Sequence, residues 1–288
     1  MIEIITPGAL STVQDKGRFG AMKNGFTQNG AMDGYSMRIA NRLCGNDLNA
    51  PVIEMTMLGI TAKFTEEHVF AISCGRFDIT LNGEQIRTNK AYRGKTGDIL
   101  SVNTAKSGMR CYLAVAGGFD VPLFMNSAST DIKLGIGGYG GRKLRPGDVL
   151  EIGDAKPVPT ENREIPENVC GESVTLRVVL GPQDSMFTET DIVFFSKQEY
   201  TVTPDLDRMG IRLNGIKLRG KESLEIISDA ITFGSVQITR LGLPIILTAD
   251  HQTTGGYAKI ATVISSDFTK LAQLRPYDKV RFEIVSIK

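Results

Sequence analysis

The stretch that decides the fold class is Asp78-Ile79-Thr80-Leu81-Asn82-Gly83-Glu84-Gln85-Ile86. At its centre, Asn82-Gly83 lies between two segments suited to strands. A type I′ hairpin turn needs a positive φ at both central residues, and Asn followed by Gly meets that need with little strain. The stretch therefore predicts a β-hairpin.

Strand candidates recur on both sides of this hairpin about every ten residues, as in β-sandwiches and barrels. In the first half they are Val52–Met57, Ile60–Phe64, Val69–Ser73, Ile79–Leu81, Ile99–Val102 and Cys111–Ala116. The 31 glycines and the absence of tryptophan are typical of a β-rich chain with many tight turns. The fold is predicted to be all-β, with only a few short helices.

One segment favours a helix. Between Asp33 and Cys44, the apolar residues Met37, Ala40 and Leu43 follow helical spacing. Asp33 suits the N-cap, and Gly45 suits a left-handed residue after the last turn. We predict a single helix that closes one end of a barrel.

Two domains are predicted from a change in composition after residue 153. Prolines and charged residues from 153 to 172 leave no apolar face for a core strand. A weak repeat also favours two related halves, since Arg145-Pro146-Gly147-Asp148 and Arg275-Pro276-Tyr277-Asp278 each lead into an alternating strand. We predict an N-terminal β-barrel-like domain at 1–155, a linker at 156–172 and a C-terminal β-barrel domain at 173–288.

Charge and composition exclude several classes of protein. Lys and Arg total 33 against 32 Asp and Glu, a net charge of +1, which argues against a nucleic-acid partner. No apolar run approaches the roughly 18 residues of a membrane span. The 4 cysteines are scattered and only 2 histidines accompany them, so no metal site is predicted. The expected location is the cytoplasm.

One glycine motif matches a nucleotide-binding pattern without its context. Gly135-Ile136-Gly137-Gly138-Tyr139-Gly140 fits G-x-G-x-x-G, but a dinucleotide site needs a helix next. The segment that follows reaches Pro146 too soon for that helix. We interpret the motif as a flexible basic loop.

Three stretches combine glycine with polar groups: Thr12–Gly20 leading to Asn29–Asp33, Asp207–Leu213, and Thr248–Tyr257. In the third, Gly255-Gly256 permits closely spaced amides that form an anion nest, although a plain hairpin corner fits equally well. Arg208 and Arg212 are suited to clamp a carboxylate or phosphate, or are simply exposed on a strand. The residues thus predict a polar cleft that favours anions.

Longer motifs in these and other regions resemble one family, the C subunits of 5-oxoprolinase, also described as allophanate hydrolase subunit 2 or biotin-dependent carboxyltransferase-like proteins. The motifs are Thr12-Val13-Gln14-Asp15 with Gly17-Arg18, Gly30-Ala31-Met32-Asp33, Ala40-Asn41-Arg42-Leu43 with Gly45-Asn46, Tyr112 to Gly118, Ser129-Thr130-Asp131, Gly181-Pro182-Gln183, Asp207-Arg208-Met209-Gly210 and Gln252 to Tyr257. Phe19, Asn126-Ser127-Ala128 and Ala258 depart from the family's usual residues.

The resemblance implies two cyclophilin-like β-barrel halves and a heteromeric enzyme. The chain would pair with the related B subunit of 5-oxoprolinase and work with its A subunit, which has a different fold. The implied reaction opens 5-oxo-L-proline to L-glutamate with ATP hydrolysis, with Mg as the counter-ion of ATP. The chain alone is expected to be inactive, and no covalently bound biotin is expected in it.

Within that reaction, roles are assigned by chemistry. The residues given catalytic roles are Asp15, Asp33, Asp250 and Arg208. Those given substrate- or phosphate-binding roles are Arg18, Arg212, Gln237, Gln252, Thr253, Thr254, Gly255, Gly256 and Tyr257.

Two alternatives stay open. In one, the chain is a regulatory protein that captures a kinase inhibitor resembling the B subunit, as one member of the family does. In the other, it is the carboxyltransferase part of a urea-carboxylase-like system, which requires a separate biotin carrier.

Overall fold

The computed structural model describes residues 1–156 and 171–286, and these form two compact units. The first unit takes residues 1–19 and 29–156, and the second takes 20–28 and 171–286. Residues 20–28, predicted within the first domain, therefore group with the second unit. The predicted linker at 156–172 lies almost wholly outside the described residues, so its bounds stay a prediction.

The first unit is one helix on a nine-stranded sheet. Its elements are β1 Ile2–Thr6, β2 Leu10–Gln14, α1 Gly34–Leu43, β3 Val52–Thr56, β4 Thr61–Phe64, β5 His68–Leu81, β6 Glu84–Gln85, β7 Ala91–Gly94, β8 Ile99–Val115 and β9 Val149–Leu150. Six strands run in the order β2-β3-β8-β4-β1-β9, and β5 pairs with β6, β7 and β8. The sheet forms a half-barrel, which agrees with the barrel-like fold predicted for this part of the chain.

The hairpin that decided the fold class is present. Asn82 and Gly83 have φ values of 53° and 83°, as a type I′ turn requires. The strands beside it are longer than predicted, because two candidates merge into β5 and two more into β8. Register shifts between β5 and β8 allow these long strands to bend.

The predicted helix is confirmed as α1. The Asp33 carboxylate caps it by accepting a hydrogen bond from the amide of Ser36 at 3.1 Å, and Gly45 has a φ of 71°. Its apolar face, including Met37 and Leu43, joins a buried cluster with residues of β5 and β8. The helix thus lies on one face of the sheet, whereas the prediction placed it at one end of a barrel.

The second unit contains a closed barrel. Its elements are β10 Ser173–Leu180, α2 Glu189–Lys197, β11 Tyr200–Leu206, β12 Gly210–Asn214, β13 Glu225–Ala230, β14 Ser235–Ile238, β15 Pro244–Leu247, β16 Thr254–Tyr257, β17 Lys259–Val263, α3 Phe268–Ala272 and β18 Lys279–Ile284. Seven strands close in the order β10-β17-β14-β15-β12-β11-β18, and β13 pairs with β16 as a separate ribbon. The seam between β10 and β18 is parallel, with Ser173 opposite Lys279. The predicted all-β class is confirmed.

The weak repeat corresponds to one turn used twice. The Asp148 carboxylate accepts a hydrogen bond from the amide of Arg145, and the Asp278 carboxylate accepts one from the amide of Arg275, each at 2.8 Å. A strand follows each turn, β9 in the first unit and β18 in the second. The aspartates are therefore turn formers in both halves.

A buried carboxylate with two cationic partners supports the barrel and gives a pH-dependent prediction. Burial alone would raise the pKa of Asp267, but hydrogen bonds from Arg177 and Lys270 lower it to about 2. Since this is below the unfolded value, the stabilisation is present above about pH 4 and is lost as pH falls toward 2.

Asp267→Asn is expected to lower the free energy of unfolding by about 2 kcal/mol at pH 7, because about two pKa units are lost. Urea denaturation at pH 7 and at pH 2.5 would measure the difference, which should shrink markedly at the lower pH. The exposed Asp120→Asn serves as control. An equal difference at both pH values would contradict the assignment.

Candidate functional site

A cavity of about 560 Å³ in the second unit brings together four of the predicted binding residues: Arg212, Gln237, Gln252 and Tyr257. They come from β12, β14, the turn before β16 and β16 itself. Asp205 and Asp207 also line this cavity. Two other cavities, of about 740 and 380 Å³, are lined by none of the predicted site residues. We call the cavity of about 560 Å³ the β12–β16 cavity.

Arg212 is the cation of this cavity. Its neighbours Ile211 and Leu213 are buried in the barrel core, so strand alternation places Arg212 on the opposite, exposed face. Among residues 1–156 and 171–286, no carboxylate forms an ion pair with its guanidinium. Because a guanidinium stays protonated, the group is available to a bound anion.

Gln237 supplies a buried amide to the same cavity. The residue is only 2% exposed, and its Nε2 donates to the carbonyl of Tyr257 at 3.1 Å. Within the described part of the chain, its Oε1 has no hydrogen-bond partner. Because this oxygen is not one of the fully buried atoms without a partner, it is reachable from the cavity and can accept a hydrogen bond from a ligand or from water.

Of the two alternatives kept open for the glycine pair, an anion nest and a plain hairpin corner, the structure does not form the nest. Gly255 and Gly256 lie in β16, paired with β13, and neither has a positive φ. Successive amides in an extended strand point to opposite sides, so they cannot converge on one anion. A Cβ at Gly255 would lie 2.5 Å from the Ile231 Cδ1 and 2.9 Å from the Gln237 Nε2, so the ends of both side chains would have to shift. Thr253 and Thr254 are not among the residues lining the cavity.

Arg208 and Asp250 are bound to each other. The Arg208 Nε and Nη2 donate to the two carboxylate oxygens of Asp250, each at 2.9 Å. The Arg208 carbonyl also accepts hydrogen bonds from the Asp250 amide and from the Thr248 hydroxyl. This bidentate pair joins the β11–β12 turn to the end of β15, and neither residue lines the cavity. Their catalytic roles stay a prediction.

A second polar cluster beside β16 was missed by sequence reasoning. The Lys259 side chain is 6% exposed, and its Nζ donates to Asp229 at 2.5 Å and to the Ala230 carbonyl at 2.6 Å. The hydrogen bond from Lys259 lowers the pKa of Asp229. Gln183 of the Gly181-Pro182-Gln183 motif donates to the same carboxylate. The motif and the lysine together tie β13 to the barrel.

In the first unit, Asp15 organises a loop. Its carboxylate accepts hydrogen bonds from the hydroxyls of Ser127 and Ser129, at 2.7 and 2.6 Å, and from the amides of Gly17 and Ala128. The residue is 6% exposed. Four donors on one buried carboxylate give Asp15 a structural role in this unit.

Arg18 is buried against the glycine motif. Its guanidinium donates to Asn29 Oδ1 at 2.5 Å and to the Ser129 carbonyl, and it lies over the Phe124 ring. Gly137 has a φ of 68°, and a Cβ there would overlap the Arg18 guanidinium and the Ser129 carbonyl. The motif is therefore packed at Gly137, and the flexibility predicted for the loop as a whole stays a prediction. The next element is β9, so its rejection as a dinucleotide site holds.

Asp33 belongs to a buried network in the same unit. Besides capping α1, its amide donates to the Tyr112 hydroxyl, which itself donates to Glu54, both at 2.8 Å. Burial, followed by the Glu54 and Asp33 carboxylates, raises the pKa of Tyr112 well above its usual range. Tyr112 stays protonated as a donor between these groups. The predicted residues Asp15, Arg18 and Asp33 thus lie in one unit, and the other ten lie in the second.

Comparison with known proteins places these features in a family. Residues 24–284 match the carboxyltransferase domain, subdomain A and B. The 5-oxoprolinase C subunit of Haemophilus influenzae is 38% identical over 288 residues, which are 100% of this chain and 92% of that protein. The Escherichia coli protein of the same name matches with the same identity and coverage.

Solved structures show the same fold. The urea amidolyase of K. lactis superposes with a TM-score of 0.92 at 33% identity, covering 99% of this chain and 19% of that one. The Kluyveromyces lactis urea carboxylase gives a TM-score of 0.92 at 33% identity, covering 99% of this chain and 27% of that one. With most of its length matched by the family and by relatives above 30% identity, the chain belongs to the carboxyltransferase domain family, subdomains A and B.

Proposed function

We propose that this chain is part of a heteromeric, ATP-dependent 5-oxoprolinase and that the β12–β16 cavity binds 5-oxo-L-proline. The 38% identity to two proteins named as the C subunit of 5-oxoprolinase, over 92% of their length, supports the first part. The observation that carries the second part is that Arg212 and the buried amide of Gln237 line the same cavity.

The groups of the cavity match those of the substrate. 5-Oxo-L-proline carries one carboxylate, one lactam N–H and one lactam carbonyl. Arg212 presents the planar fork of donors that binds a carboxylate in bidentate geometry. The Gln237 Oε1 accepts from the lactam N–H, and the Gln252 amide donates to the lactam carbonyl. Binding in this way orients the lactam for attack.

The cavity does not fit a nucleoside triphosphate. The cavity is lined by one guanidinium and by two carboxylates, Asp205 and Asp207, and the amides of Gly255 and Gly256 do not converge. A triphosphate needs several cations or amides directed to it. We therefore propose that ATP and its Mg are held elsewhere in the complex, and we derive no step through them.

Partner chains are part of the proposal. The B subunit of 5-oxoprolinase, a related chain, together with the A subunit, would supply the groups that the described residues of this chain lack. No helix in the described ranges, 1–156 and 171–286, is both long and apolar enough to cross a bilayer.

The test is 5-oxoproline-dependent ADP release, measured with this chain alone and then with both partner chains added. Turnover is expected only in the full mixture. Calorimetric titration of the chain alone should show saturable binding of 5-oxo-L-proline. A stable complex with the B subunit, without turnover in the full mixture, would contradict the enzyme assignment and support capture of a protein of that type.

A second candidate, carboxyl transfer in a urea-carboxylase-like system, is favoured by the 33% identity to the urea amidolyase of Saccharomyces cerevisiae over 98% of this chain. The match covers only 16% of that protein. Urea carboxylation with an added biotin carrier and biotin carboxylase would support this candidate over the 5-oxoprolinase.

A further inference from the structure

The β12–β16 cavity contains charges of opposite sign that do not pair with each other. Arg212 and Asp205 both line it, and within the described ranges neither has an ion-pair partner. Asp207 uses its Oδ1 to accept hydrogen bonds from the amides of Met209 and Gly210, at 2.7 and 3.1 Å. Among the described residues that line the cavity, Asp205 is therefore the carboxylate that keeps both of its oxygens open to a ligand.

Asp205 has no role toward the lactam substrate. The only charge of 5-oxo-L-proline is its carboxylate, which a second carboxylate repels. The lactam N–H is served by a neutral acceptor, the Oε1 of Gln237. A cavity built for the substrate alone would need the arginine and the amides but not the acid.

The product carries the positive charge that the substrate lacks and that Asp205 can bind. Water addition breaks the C–N bond of the lactam, so the ring nitrogen takes up protons and becomes an α-ammonium, and the carbonyl carbon becomes the γ-carboxylate. The α-carboxylate is unchanged and stays suited to Arg212. L-Glutamate is thus a zwitterion at its α-carbon, and the cavity offers one group for each of these two charges, while the Gln252 amide donates to the γ-carboxylate as it did to the lactam carbonyl.

We propose that this cavity binds the amino-acid zwitterion L-glutamate more tightly than 5-oxo-L-proline, an inference that rests on the proposed function. Product then occupies the substrate site and slows turnover as it accumulates. Arg212 holds the α-carboxylate in both ligands, and Asp205 distinguishes them through the α-ammonium.

Isothermal titration of the full chain with L-glutamate, 5-oxo-L-proline and glutarate tests this. Glutarate has both carboxylates of glutamate but no ammonium. We expect L-glutamate to bind about tenfold more tightly than either of the other two. Only its ammonium can donate a charged hydrogen bond to Asp205. Asp205→Asn should weaken glutamate binding about tenfold and leave 5-oxo-L-proline binding within about twofold.

The exposed Asp120→Asn, which makes the same chemical change in the first unit, should alter neither affinity. Binding of 5-oxo-L-proline that equals or exceeds that of glutamate would overturn this inference while the proposed function stands. If neither L-glutamate nor 5-oxo-L-proline binds, this inference and the proposed function would both be overturned. If Asp205→Asn binds L-glutamate as tightly as the unmodified protein, Asp205 takes no part in recognising it, and the inference is wrong.

Discussion

Arg212→Ala is expected to reduce 5-oxoproline-dependent ADP release by the reconstituted complex about a hundredfold at low substrate concentration. The reason is that Arg212 is the one arginine among the described residues that line the β12–β16 cavity. A bidentate hydrogen bond between charged groups contributes about 3 kcal/mol when its partner has no other cation. The loss should fall on KM, because the carboxylate is bound equally before and during reaction.

Arg240→Ala is the matched control. Arg240 lies in the same unit, is exposed, pairs with Glu225, and lines a different cavity. Arg240→Ala removes the same positive charge as Arg212→Ala. Because surface substitutions usually have small effects, ADP release should stay within about twofold of that of the unmodified protein. If both variants lost activity equally, the effect would be one of overall charge, and Arg212 would have no specific role.

Asp15→Ala is expected to destabilise the first unit strongly. It removes the acceptor of four hydrogen bonds and leaves buried hydroxyl and amide donors unsatisfied. The expected cost is about 4 kcal/mol, a large part of the stability of a typical domain. Thermal and urea unfolding of the purified chain would measure it.

This measurement also separates a structural from a catalytic role for Asp15. Asp120→Ala, on the exposed surface of the same unit, should change stability by less than about 0.5 kcal/mol. A stable Asp15→Ala protein that assembles with its partners but has no turnover would support the catalytic role predicted from the sequence. An unfolded or strongly destabilised protein would explain lost activity without it.

Local signals in the sequence were sufficient for the elements that depend on local physics. The turn at Asn82-Gly83 and helix α1 each rest on residues close together in the chain, as do the caps Asp33 and Gly45. Helix α2 was missed although its signal was present. Thr188 and Asp191 form a capping box, and Phe195 is its buried contact.

Pairings between distant residues were beyond what the sequence shows. The Arg208–Asp250 pair joins positions 42 apart, and its neutralising effect on two predicted catalytic groups depends on barrel register. The same holds for Lys259, whose burial beside Asp229 follows from the β13–β16 ribbon. The glycine pair at 255–256 left two alternatives open in the sequence, because glycine permits a nest but also serves where a Cβ would meet neighbouring side chains, here those of Ile231 and Gln237.

The parallel seam between β10 and β18 has a consequence for how the second unit folds. The strands that close the barrel are the first and last in its sequence, so closure is the pairing with the greatest loop-closure entropy. Such non-local contacts slow folding. Until β18 docks, β10 and β11 both have open edges that are competent to pair with other chains. Aggregation during refolding should therefore compete with the docking of β18.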